Sequence, residues 1–453
     1  MQAVPDRLSF NQMNTQWQVP PDEVVATLER HILVDGFRLV VDLEKSRGSR
    51  LRDAATGREF IDLYGFFGSL PVGFNHPWFN QPDVQRDLLV AARTKVANSD
   101  VYSSCYATFV DTFDRVAGLD GMGRYFFIDG GALAVENALK AAMDWKVRRN
   151  LAAGRGECGT GILHFHRAFH GRSGYTLSLT NTDPRKTDYF AKFPWPRVTA
   201  PCLNFELPED QRLKEVQARE VCAEAEIEKV LSTDGGNVAA IIIETIQGEG
   251  GDNHFRGEWL RTLRRLSDKH NVLLIFDEVQ CGLGMTGRTW CCEHFDVLPD
   301  LLVFGKKTQV CGVMAGPRLD EVPENVFRLP SRINSTWGGN LTDMARATHY
   351  LRIIQHERLV ENAREMGELF VAGLRELAKE EERCTAVRGR GLMIAFDLPN
   401  RDMRETFYRG LFERGVLALR SGERSIRFRP ALDITRDAIQ SALEKIREQC
   451  RTM

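Results

Sequence analysis

The sequence predicts an α/β fold with a large domain built on a mostly parallel sheet and a smaller α+β domain. Two continuous apolar stretches, VAAIIIETIQG at 238–248 and NVLLIFDEVQCG at 271–282, are typical of strands covered on both faces of a parallel sheet. A helical pattern, GEWLRTLRRLSDKH at 257–270, lies between them, as expected for a βαβ unit. After about residue 342 this alternation gives way to long charged helical segments.

The N-terminal half contains two earlier elements. Short apolar runs, broken by Gly and by Asp-Ala-Ala-Thr-Gly, predict a small antiparallel meander over residues 37–65. Apolar residues then recur at helical spacing in GGALAVENALKAAMDWKVRRN at 130–150, which ends in a basic turn and predicts a helix. We assign residues 1–75 to an N-terminal segment that also forms part of the smaller domain.

The C-terminal region has its own pattern. ENAREMGELFVAGLRELAKEEER at 361–383 predicts a long helix, and strand-like segments follow at 387–398 and 423–432, before a final helix. The predicted boundaries therefore assign residues 76–342 to the large domain and residues 343–453 to the smaller one.

Composition limits the kinds of partner that the chain can bind. Its 453 residues carry a net charge of −2, which provides no field for nucleic acid or an anionic membrane, so we expect small-molecule partners. The polar N-terminus and the lack of an apolar run of about 18 residues predict neither a signal segment nor a membrane span. The ten scattered cysteines lack zinc-ligand spacing, so we expect reduced thiols, no metal and a cytoplasmic protein.

An acid and an amine follow two of the predicted strands. Asp277 closes LLIFD, and the pair Lys306 and Lys307 closes LLVFGKK 29 residues later. Ligands of open α/β sheets bind at the carboxyl ends of strands, so these groups are expected to converge. A lysine and a carboxylate together suit pyridoxal 5′-phosphate, which needs an amine for its aldehyde and an anion beside its ring nitrogen.

A phosphate site is also predicted. In DGGALAVENAL at 129–139, two glycines open the predicted helix and leave free backbone N–H groups at its positive end. A Gly-Gly pair before a helix is often only a turn, so this motif is weak by itself. Together with Asp277 and the lysine pair, it favours a phosphate-bearing cofactor.

The ordered motifs resemble one family. GGALAVENALK, FHGRSGYT, IETIQGEGGD, FDEVQCGLGMTG, PDLLVFGKK and SIRFRP are similar to those of the class III (ω-amino acid) aminotransferases, fold-type I enzymes that use pyridoxal phosphate, over about residues 30–445. The strings HGRSGYTLSLTNT, FGKKTQVCGVMAG and INSTWGGNLTDM resemble the bacterial lysine ε-aminotransferases of that family. Thr245 and Cys281 depart from the usual pattern at positions that carry no chemistry.

The resemblance implies which groups hold the cofactor. Lys306 should form the Schiff base, and Lys307 should be structural, because successive side chains of a strand point to opposite faces. The family pattern also implies that the carboxylate of Asp277 keeps the ring nitrogen of the cofactor protonated. Other cofactor contacts are implied for Phe169 and Val279 on the two ring faces, Gln280 at the ring hydroxyl, and the N–H groups of Gly131 and Ala132 at the phosphate.

The resemblance also implies how two different substrates share one site. Arg172 should bind one carboxylate of the substrate as a bidentate fork, and Arg427 the carboxylate beside the reacting carbon of 2-oxoglutarate. Glu249 should pair with Arg427 when the amine donor is bound and move away for the acceptor. Asn334 is a further substrate-binding candidate. Thr336 should reach the phosphate in the partner subunit, which implies a homodimer with active sites at the interface.

The expected activity is transfer of the ε-amino group of L-lysine to 2-oxoglutarate, giving L-glutamate and 2-aminoadipate 6-semialdehyde. The alternative within the family is a 4-aminobutyrate or ornithine aminotransferase. A non-catalytic, pyridoxal phosphate-binding regulatory protein is an alternative of another class, and the retention of Lys306, Asp277, Arg172 and Arg427 argues against it. A nicotinamide dehydrogenase is disfavoured because no GxGxxG motif opens a helix after a strand.

Overall fold

Residues 18–453 are described by the computed structural model, and the polar N-terminal residues 1–17 lie outside the described residues. The strands are β1 Arg50–Arg52, β2 Glu59–Asp62, β3 Arg124–Ile128, β4 Gly161–Phe165, β5 Arg197–Val198, β6 Val238–Glu244, β7 Ile246–Gln247, β8 Asn253–His254, β9 Leu273–Asp277, β10 Leu301–Phe304, β11 Cys311–Ala315, β12 Thr385–Arg390, β13 Met393–Asp397, β14 Val416–Leu417, β15 Leu419–Ser421 and β16 Ser425–Phe428.

The helices alternate with these strands in the first two thirds of the chain and dominate its end. They are α1 Val24–Glu29, α2 Gly65–Gly68, α3 Pro82–Ala92, α4 Ser104–Ala117, α5 Gly131–Ala152, α6 Gly174–Leu179, α7 Glu209–Asp234, α8 Gly257–Lys269, α9 Leu341–His356, α10 Leu359–Glu380, α11 Arg401–Glu413 and α12 Arg436–Arg451. The predicted helices at 130–150, 257–270, 361–383 and the C-terminus are all present.

A seven-stranded sheet forms the centre of the large part of the molecule. Its strand order is β3-β11-β10-β9-β6-β4-β5. Strand β11 runs antiparallel to both of its neighbours, and the other paired strands are parallel. The predicted α/β class with a mostly parallel sheet is therefore confirmed.

The central strands are apolar because helices cover both faces of the sheet. In β9, Leu273 and Ile275 pack in the hydrophobic cluster that contains the buried side of α5, whereas Leu274 and Phe276 pack in the cluster that contains α8. All five residues of β9 are buried. Successive side chains of a strand point to opposite faces, so a strand covered on both sides needs an apolar residue at nearly every position.

A second, four-stranded sheet lies in the C-terminal region, with the order β12-β13-β16-β15 and antiparallel pairing. The strand-like segment at 387–398 is divided by a turn at Gly391, whose φ of +53° favours glycine. A Cβ atom at this position would also lie 2.6 Å from the backbone nitrogen of Gly287, so the turn packs directly on the large sheet's loops.

The N-terminal meander is only partly as predicted. Strands β1 and β2 pair antiparallel as predicted. Strand β2 also pairs parallel with β14, which lies more than 350 residues later in the chain. Leu51, Phe60 and Leu417 form a small shared core. The domain boundaries after residues 75 and 342 stay a prediction. Within residues 18–453, no helix is both long and apolar enough to cross a membrane.

Candidate active site

Three charged side chains lie at the carboxyl ends of neighbouring parallel strands. Glu244 ends β6, Asp277 ends β9, and Lys306 follows β10 after one glycine. Glu244 is in register with Asp277, and Asp277 with Val303 of β10. The predicted convergence of Asp277 and Lys306 therefore follows from the sheet itself, because parallel neighbours end at the same edge.

A cavity of about 520 Å³ opens at this edge. Nine of the residues that the sequence singled out line it: Gly131, Ala132, Phe169, Arg172, Glu249, Asp277, Val279, Gln280 and Lys306. These residues come from five separate stretches of the chain. Their assembly in one cavity is a property of the tertiary structure.

The two lysines have different environments. Lys306 lines the cavity, whereas Lys307 is buried, and its Nζ atom donates to the backbone oxygens of Leu70 at 2.8 Å and Pro430 at 3.2 Å. The sequence predicted this difference from the alternation of side chains along a strand. That reason was wrong, because the strand ends at Phe304 and the lysines begin a 3₁₀ turn. Lys306 itself adopts a left-handed backbone with φ of +52°.

Burial lowers the pKa of Lys306 to about 8, and the positive charge of Arg427 acts in the same direction. The carboxylates of Asp277 and Glu244 oppose this shift. With a pKa of about 8, roughly a tenth of the Lys306 amine is neutral at pH 7, far more than for a lysine with the ordinary value. Lys306 can therefore act as a nucleophile and as a proton carrier.

Asp277 is held by neighbours that keep its carboxylate in place. Oδ2 lies 2.7 Å from Nδ1 of His170, and Oδ1 accepts from the backbone N–H of Val279 at 3.1 Å. Both His170 and Asp277 are buried. Nε2 of His170 is buried without a hydrogen-bond partner in the described part of the chain. The sequence reasoning missed His170, although it stands next to Phe169.

Glu244 is the second residue that sequence reasoning missed. Its carboxylate accepts from the backbone N–H groups of Phe169 and Gly248, each at 2.9 Å. Burial raises its pKa to about 7, and the carboxylate of Asp277 adds to the rise. Glu244 therefore fixes the loop that carries Phe169. It could have been found, since it closes a buried strand as Asp277 does.

The N-terminus of α5 forms one wall of the cavity. Gly130 precedes the helix with φ of +96°, and Gly131 and Ala132 line the cavity at the first turn. A Cβ atom on Gly131 would lie 3.1 Å from Cγ1 of Val279, so the helix start packs closely against that residue. The first N–H groups of a 22-residue helix have no intrahelical acceptors and face this space.

The substrate-binding candidates are arranged differently from the predicted donor complex. Glu249 contacts Nζ of Lys186 and accepts from Oγ1 of Thr182 at 3.1 Å. Arg427 is buried, and its Nη1 atom donates to Oε1 of Gln280 at 3.0 Å. The Glu249–Arg427 pair is thus not formed in this conformation. Burial and the charge of Arg429 lower the pKa of Arg427 to about 10.

The aminotransferase class-III family profile matches residues 34–449 of the chain.

The chain belongs to the class III aminotransferases.

Similar proteins agree with this membership. The L-lysine-epsilon aminotransferase of Mycobacterium tuberculosis is 48% identical over 430 residues, which cover 94% of this chain and 95% of that protein. A solved structure of the lysine aminotransferase from M. tuberculosis in the internal aldimine form has a TM-score of 0.94, at 48% identity, covering 96% of this chain and 100% of that one. The mitochondrial 4-aminobutyrate aminotransferase of Sus scrofa is 31% identical, over 86% of this chain and 80% of that protein. The fold-type I expectation is confirmed.

The cavity of this class III aminotransferase fits pyridoxal 5′-phosphate. Lys306 offers an amine, Asp277 an anion fixed by His170, and the start of α5 a set of free N–H donors. Phe169 and Val279 line the same space, as side chains that flank a planar ring must. Gln280, predicted at the ring hydroxyl, accepts from Arg427 and Arg429 in this structure.

Three predicted site residues do not line the cavity. Arg427 lies buried beside it, where it donates to Gln280. Asn334 and Thr336 are exposed on the segment between the last strand of the large sheet and α9. Oδ1 of Asn334 accepts from the backbone N–H of Ser335 at 2.7 Å. Thr336 was predicted to act in the partner subunit, so its exposure is compatible with that role, which stays a prediction.

Proposed function

We propose that this chain transfers the ε-amino group of L-lysine to 2-oxoglutarate with pyridoxal 5′-phosphate as cofactor, and releases L-glutamate and 2-aminoadipate 6-semialdehyde. The observation that carries the proposal is the meeting of Lys306, Asp277 and Arg172 in one cavity with Arg427 beside it. We favour L-lysine as the donor because the chain is 48% identical to an L-lysine-epsilon aminotransferase and only 31% identical to a 4-aminobutyrate aminotransferase.

The cofactor, when bound, supplies an electron sink for the pair of electrons left on the reacting carbon. Asp277 holds a proton at the ring nitrogen, and His170 keeps the Asp277 carboxylate oriented. Lys306 would move a proton between the reacting carbon of the substrate and the cofactor within each half-reaction, in one direction for the donor and in the reverse direction for the acceptor. Its lowered pKa, about 8, leaves part of the amine free to accept that proton.

The substrate groups are assigned by charge. Arg172 binds the carboxylate remote from the reacting carbon in either substrate, and its Cζ atom lies 5.9 Å from the centre of the Phe169 ring. Arg427 binds the carboxylate next to the reacting carbon of 2-oxoglutarate. L-Lysine presents an uncharged CH₂ group there instead, and Glu249 then neutralises Arg427. Burial makes an unpaired Arg427 costly, which supports the need for such a partner.

The test is a panel of amino donors with 2-oxoglutarate, in which glutamate is measured for L-lysine, 4-aminobutyrate and L-ornithine. We expect the highest kcat/KM with L-lysine and a product that cyclises, as a 6-semialdehyde bearing an amine does. Lys306→Ala is the control for background. A higher kcat/KM for 4-aminobutyrate or ornithine would select the alternative within the family, and no turnover with any amine would favour a binding protein.

The proposal includes a cytoplasmic homodimer whose active sites lie at the subunit interface. Its support is the exposed segment that carries Asn334 and Thr336, which stands apart from the cavity of its own chain. Sedimentation should give twice the mass of the chain, 51.3 kDa. Mixed dimers of Lys306→Ala with a Thr336→Val chain should combine one doubly impaired and one intact site. Activity unchanged by mixing would contradict a shared site.

A further inference from the structure

A third cation, besides Arg172 and Arg427, lies next to two residues that line the cavity, Phe169 and Glu249. Lys186 ends the 3₁₀ turn Pro184–Lys186, and its side chain is 24% exposed. Its Nζ atom lies 5.7 Å from the centre of the Phe169 ring, the same ring beside which Arg172 lies at 5.9 Å. No motif in the sequence singles out Lys186, which is 14 positions after Arg172.

The position of Lys186 is defined by its partner. Nζ of Lys186 contacts Oε1 of Glu249, the same oxygen that accepts from Oγ1 of Thr182 at 3.1 Å. The backbone of Glu249 is held separately, because its oxygen accepts from the N–H of Gly422 at 3.0 Å and from Oγ of Ser421 at 3.2 Å. The loop is therefore anchored, and only the carboxylate has to change partners.

The charges of Arg172 and Arg427 also affect the pKa of Lys186. Burial lowers the pKa of Lys186 to about 8, and the positive charges of Arg172 and Arg427 contribute to that fall. Geometry also places Arg427 near Glu249: Arg427 donates to Oε1 of Gln280, and a Cβ atom on Gly248, the residue before Glu249, would meet that oxygen. With the carboxylate on Lys186, Arg427 is left to an uncharged partner, the side-chain oxygen of Gln280.

We propose that Lys186 is a positioning residue for substrate exchange, which holds the Glu249 carboxylate away from Arg427 and so keeps Arg427 ready for the carboxylate of the acceptor. When L-lysine is bound, Glu249 leaves Lys186 for Arg427. The inference rests on the proposed function, since it assumes that Arg427 binds the acceptor. It predicts that loss of Lys186 and loss of Glu249 have opposite effects, although the two residues form one pair.

The experiment uses glutarate, a dicarboxylate without a reacting group, and pentanoate, a monocarboxylate, as probes of the holoenzyme in calorimetric titrations. Glutarate needs both Arg172 and a free Arg427, whereas pentanoate needs Arg172 alone. In Lys186→Met, Glu249 should mask Arg427, so the Kd for glutarate should rise about tenfold, equivalent to about 1.4 kcal/mol. The Kd for pentanoate should stay unchanged.

Three further variants make the result specific. Lys186→Arg should restore glutarate binding, because it keeps a cation beside Glu249. Lys186→Met combined with Glu249→Gln should bind glutarate as well as Glu249→Gln alone does. Arg185→Met, a neighbour in the same turn with a side chain that is 74% exposed, is the matched control and should change nothing.

Kinetics provide a second readout. In Lys186→Met the KM for 2-oxoglutarate should rise about tenfold, while the L-lysine half-reaction keeps its rate. An equal rise in the Kd values for glutarate and pentanoate would show that Lys186 binds the distal carboxylate itself. Unchanged Kd values for both would show that the Lys186–Glu249 pair is only structural. Either result overturns the proposal. Failure of the proposed donor would appear in the amine panel instead, because glutarate titrations involve no donor.

Discussion

Nδ1 of His170 lies 2.7 Å from Oδ2 of Asp277, and both side chains are buried at the carboxyl end of the central sheet. An ionised carboxylate accepts hydrogen bonds, so Nδ1 must carry the proton, and the imidazole fixes the orientation of Asp277. The pair comes from positions 107 residues apart. In this pair, Asp277 supplies the negative charge and His170 determines the orientation of the carboxylate.

These two roles can be distinguished by substitution. Asp277→Asn removes the charge and should lower the single-turnover rate of the L-lysine half-reaction by about a hundredfold to a thousandfold, as expected when preorganised electrostatic stabilisation is lost. His170→Ala keeps the charge and should cost about tenfold, while His170→Asn, which can still donate to Asp277, should recover part of it. Equal losses in Asp277→Asn and His170→Ala would contradict this division.

The two adjacent lysines should respond differently to borohydride. The wild-type protein should be yellow and should form a reducible adduct, which peptide mass spectrometry should locate on Lys306. Lys306→Ala should lose the adduct, whereas Lys307→Ala should keep it, because the amine of Lys307 is bound to backbone oxygens away from the cavity. An adduct on Lys307 in the wild-type protein would refute the assignment.

Lys307 should make stability depend on pH. Burial lowers its pKa from 10.5 to about 7 in the folded protein. Below pH 7 the Lys307 amine is charged in both the folded and the unfolded protein, so folding bears the full cost of burying a charge. Between pH 7 and about 10 only the unfolded chain holds the proton, so the free energy of unfolding increases with pH. Relative to Lys307→Met, the wild-type protein should gain about 1 to 3 kcal/mol from pH 7 to about 9.5.

Apparent urea midpoints of the two proteins across this range measure the gain. Lys379→Met, on the exposed side of α10, is the control, because its side chain is 72% exposed. The wild-type and control curves should run parallel. A parallel curve for Lys307→Met would mean that Lys307 stays charged in the folded protein.

Glu249 should act on one half-reaction more than on the other. Glu249→Ala leaves Arg427 unmasked at all times, so the L-lysine half-reaction should slow more than the glutamate half-reaction, and the α-amine of lysine should begin to compete. Loss of a charge-assisted pair is worth roughly 1.5 to 3 kcal/mol, which is about a tenfold to hundredfold change in the ratio of the two rates. Single-turnover absorbance traces with each donor measure that ratio. An unchanged ratio would place donor selectivity elsewhere, with Asn334 and Ser335 the next positions to test.

The start of α5 should tolerate no extra atom beside it. Gly171 has φ of +128°, and a Cβ atom there would lie 2.5 Å from Cβ of Ala132 and 2.7 Å from Oγ1 of Thr176. Gly171→Ala should therefore displace the first turn of the helix and raise the Kd for pyridoxal 5′-phosphate at least tenfold, as measured by fluorescence titration of the apoprotein. Gly174→Ala is the matched control, because its Cβ would meet Oε1 of Glu136 at an ordinary 3.6 Å.

The sequence by itself determined the mostly parallel character of the central sheet and two of the chemical groups at its edge. The apolar run of β9 is a local pattern typical of a strand covered on both faces, and ligands of open α/β sheets bind at the carboxyl ends of such strands. For this reason the local pattern alone assigns Asp277 and Lys306 to one edge of the sheet. The helix that opens at Gly131 was equally local, since its spacing and its glycines lie within one segment.

Only the tertiary structure decided how these groups are paired. Lys307 is buried because its amine meets backbone oxygens 237 and 123 residues away, and the turn that directs it there breaks the alternation of the strand. His170 and Lys186 carry no distinguishing pattern, and their roles depend on which distant carboxylate lies within a hydrogen-bond length. Residue spacing predicts which face a side chain occupies, but contacts between remote segments depend on packing and rotamers at the scale of a single ångström.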